Sequence, residues 1–273
     1  MRVFGLVAGS VLLFFGTLCA FQKPFREFSG TEYFTGDIPL PPDWKEKADF
    51  AFARLMFPGG PLDGYYPRFQ GDYHFGLSLW TQDYPRADRH FLAAVRRLTR
   101  VDARSVEQVV DIEDGDDVFN WPFLYAVQAG EWGLTEKQGK ILREFVDRGG
   151  FFIGDDFHGP NEWGEFDRRV HFAFPERPLV DISNNDALFH TVYDLNDRYI
   201  INGQAHIGRG KNGGTVPRWV AMYDDKGRAG IIGWFNSDVG DSWEYADDPS
   251  YPERMSDLGM RLGVNAVIYA MTH

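Results

Sequence analysis

The 273 residues carry a formal net charge of −12, with a pI near 5.0, and 44% of them are hydrophobic. A chain of this length and apolar content can bury one large core. Its acidic balance argues against nucleic acid or an anionic membrane surface as partner, because both are bound by clusters of Lys and Arg. We therefore expect one large acidic domain and no nucleic-acid binding.

The first 21 residues have the build of an export segment. Arg2 precedes the uncharged apolar run 3–21, which is typical of a signal peptide and is also long enough for a single N-terminal membrane anchor. Cys19, the only cysteine, lies in this run. We predict an exported protein, periplasmic or anchored in the bacterial inner membrane facing the periplasm, that meets the membrane only through this segment.

Residues 22–48 are rich in Pro, Gly and charge without a sustained period, which predicts a linker to a domain spanning residues 49–273. The first strand candidate of that domain is 49–57. Asp83 is predicted to cap a helix that starts near Pro85, and residues 106–112 predict the next strand.

The stretch 120–167 predicts a βαβ unit followed by a polar loop. The apolar run 122–127 has strand length, Thr135 to Gln138 has the spacing of a helix capping box, and residues 141–146 are apolar at helical spacing. Gly149 suits the end of that helix, and residues 151–154 predict a second buried strand. The order of elements favours an α/β fold with a mainly parallel sheet flanked by helices.

The C-terminal third predicts a β-hairpin and a closing helix. Residues 219–223 and 229–235 flank the turn residues 224–227, and the apolar spacing in 253–271 is helical. Residues 179–182 predict a weak strand, and 236–252 a polar loop.

One group of candidate site residues follows the strand 151–154, and the carboxyl end of a strand is where open α/β sheets bind ligands. Asp155, Asp156 and His158 are candidate catalytic residues and candidate ligands of a divalent metal, since carboxylates beside a His can bind an ion or activate water. Glu162 and Trp163, nearby in the sequence, are ligand-binding candidates. The alternative is that one Asp caps a turn and the other is solvated.

A second group follows the hairpin. Asn236, Asp238, Asp241 and Trp243 would face the same rim, forming with the first group an acidic, aromatic-walled pocket suited to a sugar, an amine or a metal. The alternative is a plain surface loop that uses Asn and Asp for turns. The glycine-rich loop 203–214 contains Lys211, but it lacks the phosphate-binding P-loop pattern.

Three segments together resemble a known bacterial family: TQDYPRADRHFLAAVRRLTRV (81–101), LTEKQGKILREFVDRGGFFIGDDFHG (134–159) and GVNAVIYAMTH (263–273). The chain is similar, over about residues 49–273, to exported proteins that carry domain of unknown function 4159. The resemblance implies a flavodoxin-like, class I glutamine amidotransferase-like fold and assigns no activity. The catalytic members of that fold carry a nucleophilic cysteine after the central strand, where this chain has Asp155 to His158, and no G-x-S-x-G motif offers a serine instead.

The resulting hypothesis is a non-catalytic ligand-binding or assembly module that lacks the amidotransferase cysteine. One alternative is a metal-assisted hydrolase that uses Asp155, Asp156 and His158, and another is a structural subunit of a cell-envelope complex. No cofactor is evident from the sequence, although a divalent metal is compatible with the acidic rim. The expected partner is a small molecule or an envelope protein.

Overall fold

The computed structural model describes residues 22–63 and 72–273. The predicted signal peptide or anchor, 1–21, lies outside these residues. Within the described ranges, no helix is both long enough and apolar enough to cross a membrane. The strands are β1 (Ala53–Met56), β2 (Gln108–Asp111), β3 (Phe123–Ala126), β4 (Phe151–Gly154), β5 (Val180–Asp181), β6 (Arg218–Tyr223) and β7 (Ala229–Phe235).

All seven strands form one sheet in the order β2-β1-β3-β4-β7-β6-β5. The first five in this order run parallel, whereas β6 is antiparallel to both β7 and β5. The β6–β7 pair confirms the predicted hairpin. Because β3, β4 and β7 are parallel neighbours, the loops that follow them leave the sheet at the same edge.

Helices cover both faces of the sheet, which confirms the predicted α/β architecture. Along β3 the side chains alternate between two apolar cores: Phe123 and Tyr125 face one, and Leu124 and Ala126 the other. The first core packs against α1, α4 and α5, and the second against α2 and α3. The helices are α1 (Arg86–Leu98), α2 (Glu136–Asp147), α3 (Gly159–Ala173), α4 (Val239–Glu244) and α5 (Glu253–Thr272).

The central βαβ unit forms as its sequence predicts. The Thr135 hydroxyl accepts the Gln138 N–H at 3.2 Å, and the Gln138 amide oxygen accepts the Thr135 N–H at 2.9 Å, which completes the capping box of α2. The helix ends before Gly149, which has a φ of +100°, a value that glycine adopts without steric cost.

Three local predictions are wrong. Asp83 does not cap α1, because the N-cap position falls at Pro85 and no side chain caps that helix. The predicted polar loop 155–167 becomes the helix α3 from Gly159 onward, because Phe166 and Val170 anchor one face of it in the second core. The loop 236–252 contains the short helix α4 for a similar reason, since part of it is packed into the first core.

The segment predicted as a linker, 22–48, lies against the domain without forming a helix or strand. Phe28 is buried, and its N–H donates to the Tyr84 hydroxyl at 3.2 Å. Glu27 forms an ion pair with Arg89 at 2.6 Å. The boundary at residue 49 stays a prediction, but residues 22–48 supply contacts to the core and to α1.

Candidate functional site

The loops that follow β3, β4 and β7 enclose a cavity of about 300 Å³ at the carboxyl edge of the sheet. Residues 32 and 82 close one side of it, and the loop 204–212 closes another. The described lining is polar except for one alanine. It consists of Glu32, Gln82, Gln128, Glu131, Asp156, Gln204, Ala205, His206, Lys211, Asn212, Asp238, Asp241 and Tyr245.

Asp155 does not line this cavity, although it is the first residue after β4. It is fully buried, and its Oδ2 accepts the Tyr125 hydroxyl and the Gly240 N–H, each at 2.7 Å, while Oδ1 accepts the Val239 N–H at 3.2 Å. Burial raises its pKa to about 6 in spite of these donors. Asp155 therefore connects β3 and β4 to the start of α4, and its oxygens already have partners.

Asp156 is the centre of a buried charged group. Its carboxylate lies 2.9 Å from His158 Nε2 and 3.1 Å from the ammonium of Lys211, which is also 3.3 Å from the Gln128 amide oxygen. Burial alone would raise the pKa of Asp156, but Lys211 and His158 outweigh that effect and hold it below its ordinary range. Asp156 is thus an ionised acceptor at the cavity wall.

A second cleft of about 500 Å³ adjoins the first, because Glu131 and Asn212 line both. His158 and Glu162 lie in this second cleft. Glu162 Oε2 accepts the His158 N–H at 2.7 Å, and its Oε1 accepts the side-chain amide of Asn212. The Nδ1 atom of His158 is buried without a hydrogen-bond partner among the described residues. The structure therefore brings together Asp156, His158 and Glu162 but leaves out Asp155.

Asn236 fastens the loops around the cavity without lining it. Its Oδ1 accepts the Gly159 N–H at 3.0 Å, and its Nδ2 donates to the Val216 carbonyl at 2.8 Å. Its φ of +58° is a conformation that Asn tolerates better than most residues. From the group after β7, the structure places only Asp238 and Asp241 in the cavity wall.

The two tryptophan candidates lie elsewhere. Trp243 is 0% exposed, stacks on Phe91 with ring centroids 4.2 Å apart, and donates its indole N–H to the Gly259 carbonyl at 3.0 Å. It belongs to the core. Trp163 is half-buried on α3, where the Arg218 guanidinium lies 4.5 Å from its ring centroid. Among the described lining residues, Tyr245 supplies a phenol ring.

Sequence reasoning missed the residues that reach the cavity from distant positions, namely Glu32, Gln82, Gln128, Glu131 and Gln204. The position of Glu131 in the loop after β3 could have identified it, because that loop lies at the same edge of the sheet as Asp156. Burial raises the pKa of Glu131 to about 8, and the neighbouring carboxylates of Glu162 and Asp156 add to the effect, while Lys211 opposes it.

Comparison with known families agrees with the resemblance in the sequence. Residues 73–271 match the model of the family described as "Domain of unknown function (DUF4159)". No curated protein matches the chain.

Proposed function

Because the chain belongs to the DUF4159 family, whose description assigns no activity, we propose a function from the cavity itself: a binding module for a small polar ligand. The observation that carries this proposal is the lining. Twelve of the thirteen described lining residues are polar, and none is Ser, Thr or Cys. A concave site with converging polar groups is suited to holding a small molecule.

The chemistry of the lining favours a ligand that donates hydrogen bonds. Five lining residues are carboxylic acids: Glu32, Glu131, Asp156, Asp238 and Asp241. Lys211 is already paired with Asp156, so an anionic ligand would face mostly negative charge. Hydroxyl and ammonium groups satisfy such acceptors. We therefore propose a sugar or an amine, and an amino sugar combines both kinds of group.

The proposal of a non-catalytic module also rests on the turn between β4 and α3. In the catalytic members of the amidotransferase-like fold that the sequence resembles, this is the turn that carries the cysteine. Here Asp156 occupies the turn with a φ of +47° and is held by His158 and Lys211. The only cysteine of the chain is Cys19, so the thioester chemistry of an amidotransferase has no nucleophile in the domain.

The setting of this module is part of the same proposal. The apolar run 3–21 supports export to the periplasm or anchoring in the inner membrane. A protein of the cell envelope would then be the natural partner, and service as a structural subunit of an envelope complex remains the alternative that needs no ligand.

A metal-assisted hydrolase is the second candidate, and one observation favours it. The pKa of Asp156 lies below its ordinary range, whereas burial raises that of Glu131 to about 8, so neighbouring carboxyl groups are held in opposite protonation states. Paired acids of this kind can serve as general base and general acid. Hydrolysis of a bound ligand by the wild-type protein, lost in Glu131→Gln, would favour this candidate over the binding module.

Blocking the cavity tests the binding proposal. Ala205 is exposed and lines the cavity, so Ala205→Trp fills space without removing a polar contact. Ala93, exposed on α1 outside the cavity, provides the matched control Ala93→Trp. We expect glucosamine, N-acetylglucosamine or spermidine to bind the full chain in isothermal titration calorimetry, and to bind Ala205→Trp at least tenfold more weakly. The proposal is wrong if none of the three binds, or if Ala205→Trp binds as the wild type does.

A further inference from the structure

A cluster of three carboxylates lies at the inner side of the cavity. Asp83 comes from the segment before α1, Asp238 precedes α4 and Asp241 lies in its first turn. One carboxylate oxygen from each lies within 4.8 Å of the other two. Because Asp238 and Asp241 also line the cavity, the cluster can be reached from solvent.

Asp83 lacks the partners that its burial requires. It is 1% exposed, and neither of its side-chain oxygens has a hydrogen-bond partner among the described residues. Leaving a buried carboxylate without a donor or a counter-ion is costly, and native structures avoid it. Among the described residues these oxygens lack a donor or counter-ion, which is what a bound cation would supply.

In each of the other two carboxylates, one oxygen accepts a backbone N–H. Asp238 Oδ1 accepts the Asp241 N–H at 3.0 Å, and Asp241 Oδ2 accepts the Gln204 N–H at 2.5 Å. These bonds fix both side chains and leave one oxygen of each for another partner. Glycines flank the free oxygens: a Cβ at Gly203 would collide with Asp238 Oδ2, and one at Gly240 with Asp83 Oδ2. The backbone thus makes room on two sides of the cluster.

Among the residues that the structure describes, no basic side chain forms an ion pair with any of the three acids. Arg54 is bound to Asp88 by two hydrogen bonds, and Lys211 is bound to Asp156. Burial raises the pKa of Asp83 and Asp238 well above the ordinary range, and the charge of Asp241 adds to both shifts. Without a cation, the cluster must hold protons to remain buried.

We propose that Asp83, Asp238 and Asp241 form a binding site for one hard divalent cation. The ligand atoms are all carboxylate oxygens, with no His or Cys, which is the set preferred by Ca²⁺, Mg²⁺ and Mn²⁺ rather than by Zn²⁺ or Cu²⁺. Two oxygens that bind one Ca²⁺ at about 2.4 Å can lie up to about 4.8 Å apart, and the spacing of the three carboxylate oxygens is within this limit. Water from the cavity would complete the coordination.

The ion would join the segment before α1 to the start of α4. It would lie at the inner wall of the cavity proposed above, but this inference does not depend on a sugar or an amine binding there. If calcium binds but sugars and amines do not, the metal site is supported and only the proposed function is refuted.

A second acidic group, Glu32, Asp83 and Glu244, competes for the assignment because it shares Asp83. Glu32 is less available, since Oε1 accepts the Gln82 side-chain amide at 2.6 Å and Oε2 accepts the Asp83 N–H at 2.8 Å. Glu244 has one free oxygen, Oε2. The two assignments therefore differ in whether Asp238 or Glu244 is required.

Titration calorimetry of the full chain, stripped with EDTA and then titrated with CaCl₂, MgCl₂ or MnCl₂, tests the site. We expect at least one ion to bind and to raise the melting temperature, and Asp238→Asn or Asp241→Asn to weaken binding at least tenfold. These variants should also melt at a higher temperature than the wild type in EDTA, since each replaces a carboxyl group that must take up a proton to stay buried with an amide that is already neutral. That opposite response distinguishes loss of the site from misfolding.

Two controls delimit the assignment. Asp225→Asn, at an exposed position of the hairpin turn, should bind the ion as the wild type does. Glu244→Gln should retain binding within about threefold. The site is refuted if no ion binds up to about 10 mM, beyond the range of weak extracellular calcium sites. It is also refuted if Asp238→Asn binds normally or if Glu244→Gln abolishes binding.

Discussion

The buried ion pair between Arg54 of β1 and Asp88 of α1 gives the sharpest stability prediction. Both side chains are 0% exposed. Arg54 donates to the two carboxylate oxygens of Asp88 at 2.8 and 2.6 Å, and to the carbonyls of Trp80 and Gln82 at 3.1 and 3.0 Å. The pair therefore holds α1 and the segment that leads to Asp83 against the sheet.

Asp88→Asn keeps the shape of the side chain but leaves the guanidinium buried without its counter-ion. Removing one partner of a buried pair costs about 3–5 kcal/mol. At about 2–4 °C per kcal/mol for a chain of this size, the melting temperature should fall by roughly 6–20 °C. Urea denaturation and differential scanning calorimetry measure the two quantities.

The matched control is the exposed i, i+4 pair of Glu144 and Arg148 on α2, whose side chains are 52% and 55% exposed. Glu144→Gln removes the same kind of charge from solvent-exposed surroundings, where a pair contributes about 0.3–0.5 kcal/mol. If Asp88→Asn costs less than about 1 kcal/mol, or no more than the control, the assignment of Arg54 as an anchor of α1 is wrong.

Three further predictions concern pH and packing. Because burial raises the pKa of Glu131 from 4.5 to about 8, the folded state keeps a proton between these pH values that the unfolded state loses, and the free energy of unfolding should fall with rising pH by about 1.4 kcal/mol per pH unit from this group. Glu131→Gln should remove that slope in urea titrations between these pH values. An unchanged slope would contradict the assignment. Asp155→Ala leaves a hydroxyl and two N–H groups unpaired and should cost at least about 3 kcal/mol, with Asp155→Asn milder because one acceptor oxygen remains. Deleting residues 22–48 should lower the melting temperature because Phe28 leaves the core, whereas equal stability would support the predicted boundary at residue 49.

Local sequence patterns account for most of the fold. The capping box of α2 and the continuous apolar runs of β3 and β4 each specify one element from a few neighbouring residues, and all three form as predicted. The helix α3 was missed because a Pro, a Gly and several charges in its first turns resemble a loop. Its helical character depends on Phe166 packing into the second core, which is tertiary information.

The sequence predicted where the cavity lies but not which residues line it. The rule that ligands bind at the carboxyl ends of parallel strands selected Asp156, Asp238 and Asp241, which line the cavity, and their role in binding stays a prediction. It could not separate Asp155 from Asp156, since adjacent residues point in different directions. Nor could it find Asp83, because Asp238 and Asp241, which complete its cluster, are more than a hundred residues away in the sequence.

The excess of acid in the cavity links the two proposals and leads to a last prediction. Burial makes the charged form of Asp241 costly and raises its pKa to about 7, so any group that brings positive charge to the cluster should bind more readily. A divalent cation and the ammonium groups of spermidine would both supply positive charge. We therefore expect CaCl₂ to weaken spermidine binding, and spermidine to weaken calcium binding by the same factor, because coupling between two ligands is reciprocal.

An uncharged sugar such as glucose separates this electrostatic competition from simple occupation of the cavity. It brings no charge, so calcium should leave its affinity unchanged or raise it by offering hydroxyl groups an ion to coordinate. Paired calorimetric titrations, with and without saturating CaCl₂, measure both couplings. If calcium weakens glucose and spermidine binding equally, the ion acts by filling space rather than by neutralising charge, and the electrostatic account of the cavity is wrong.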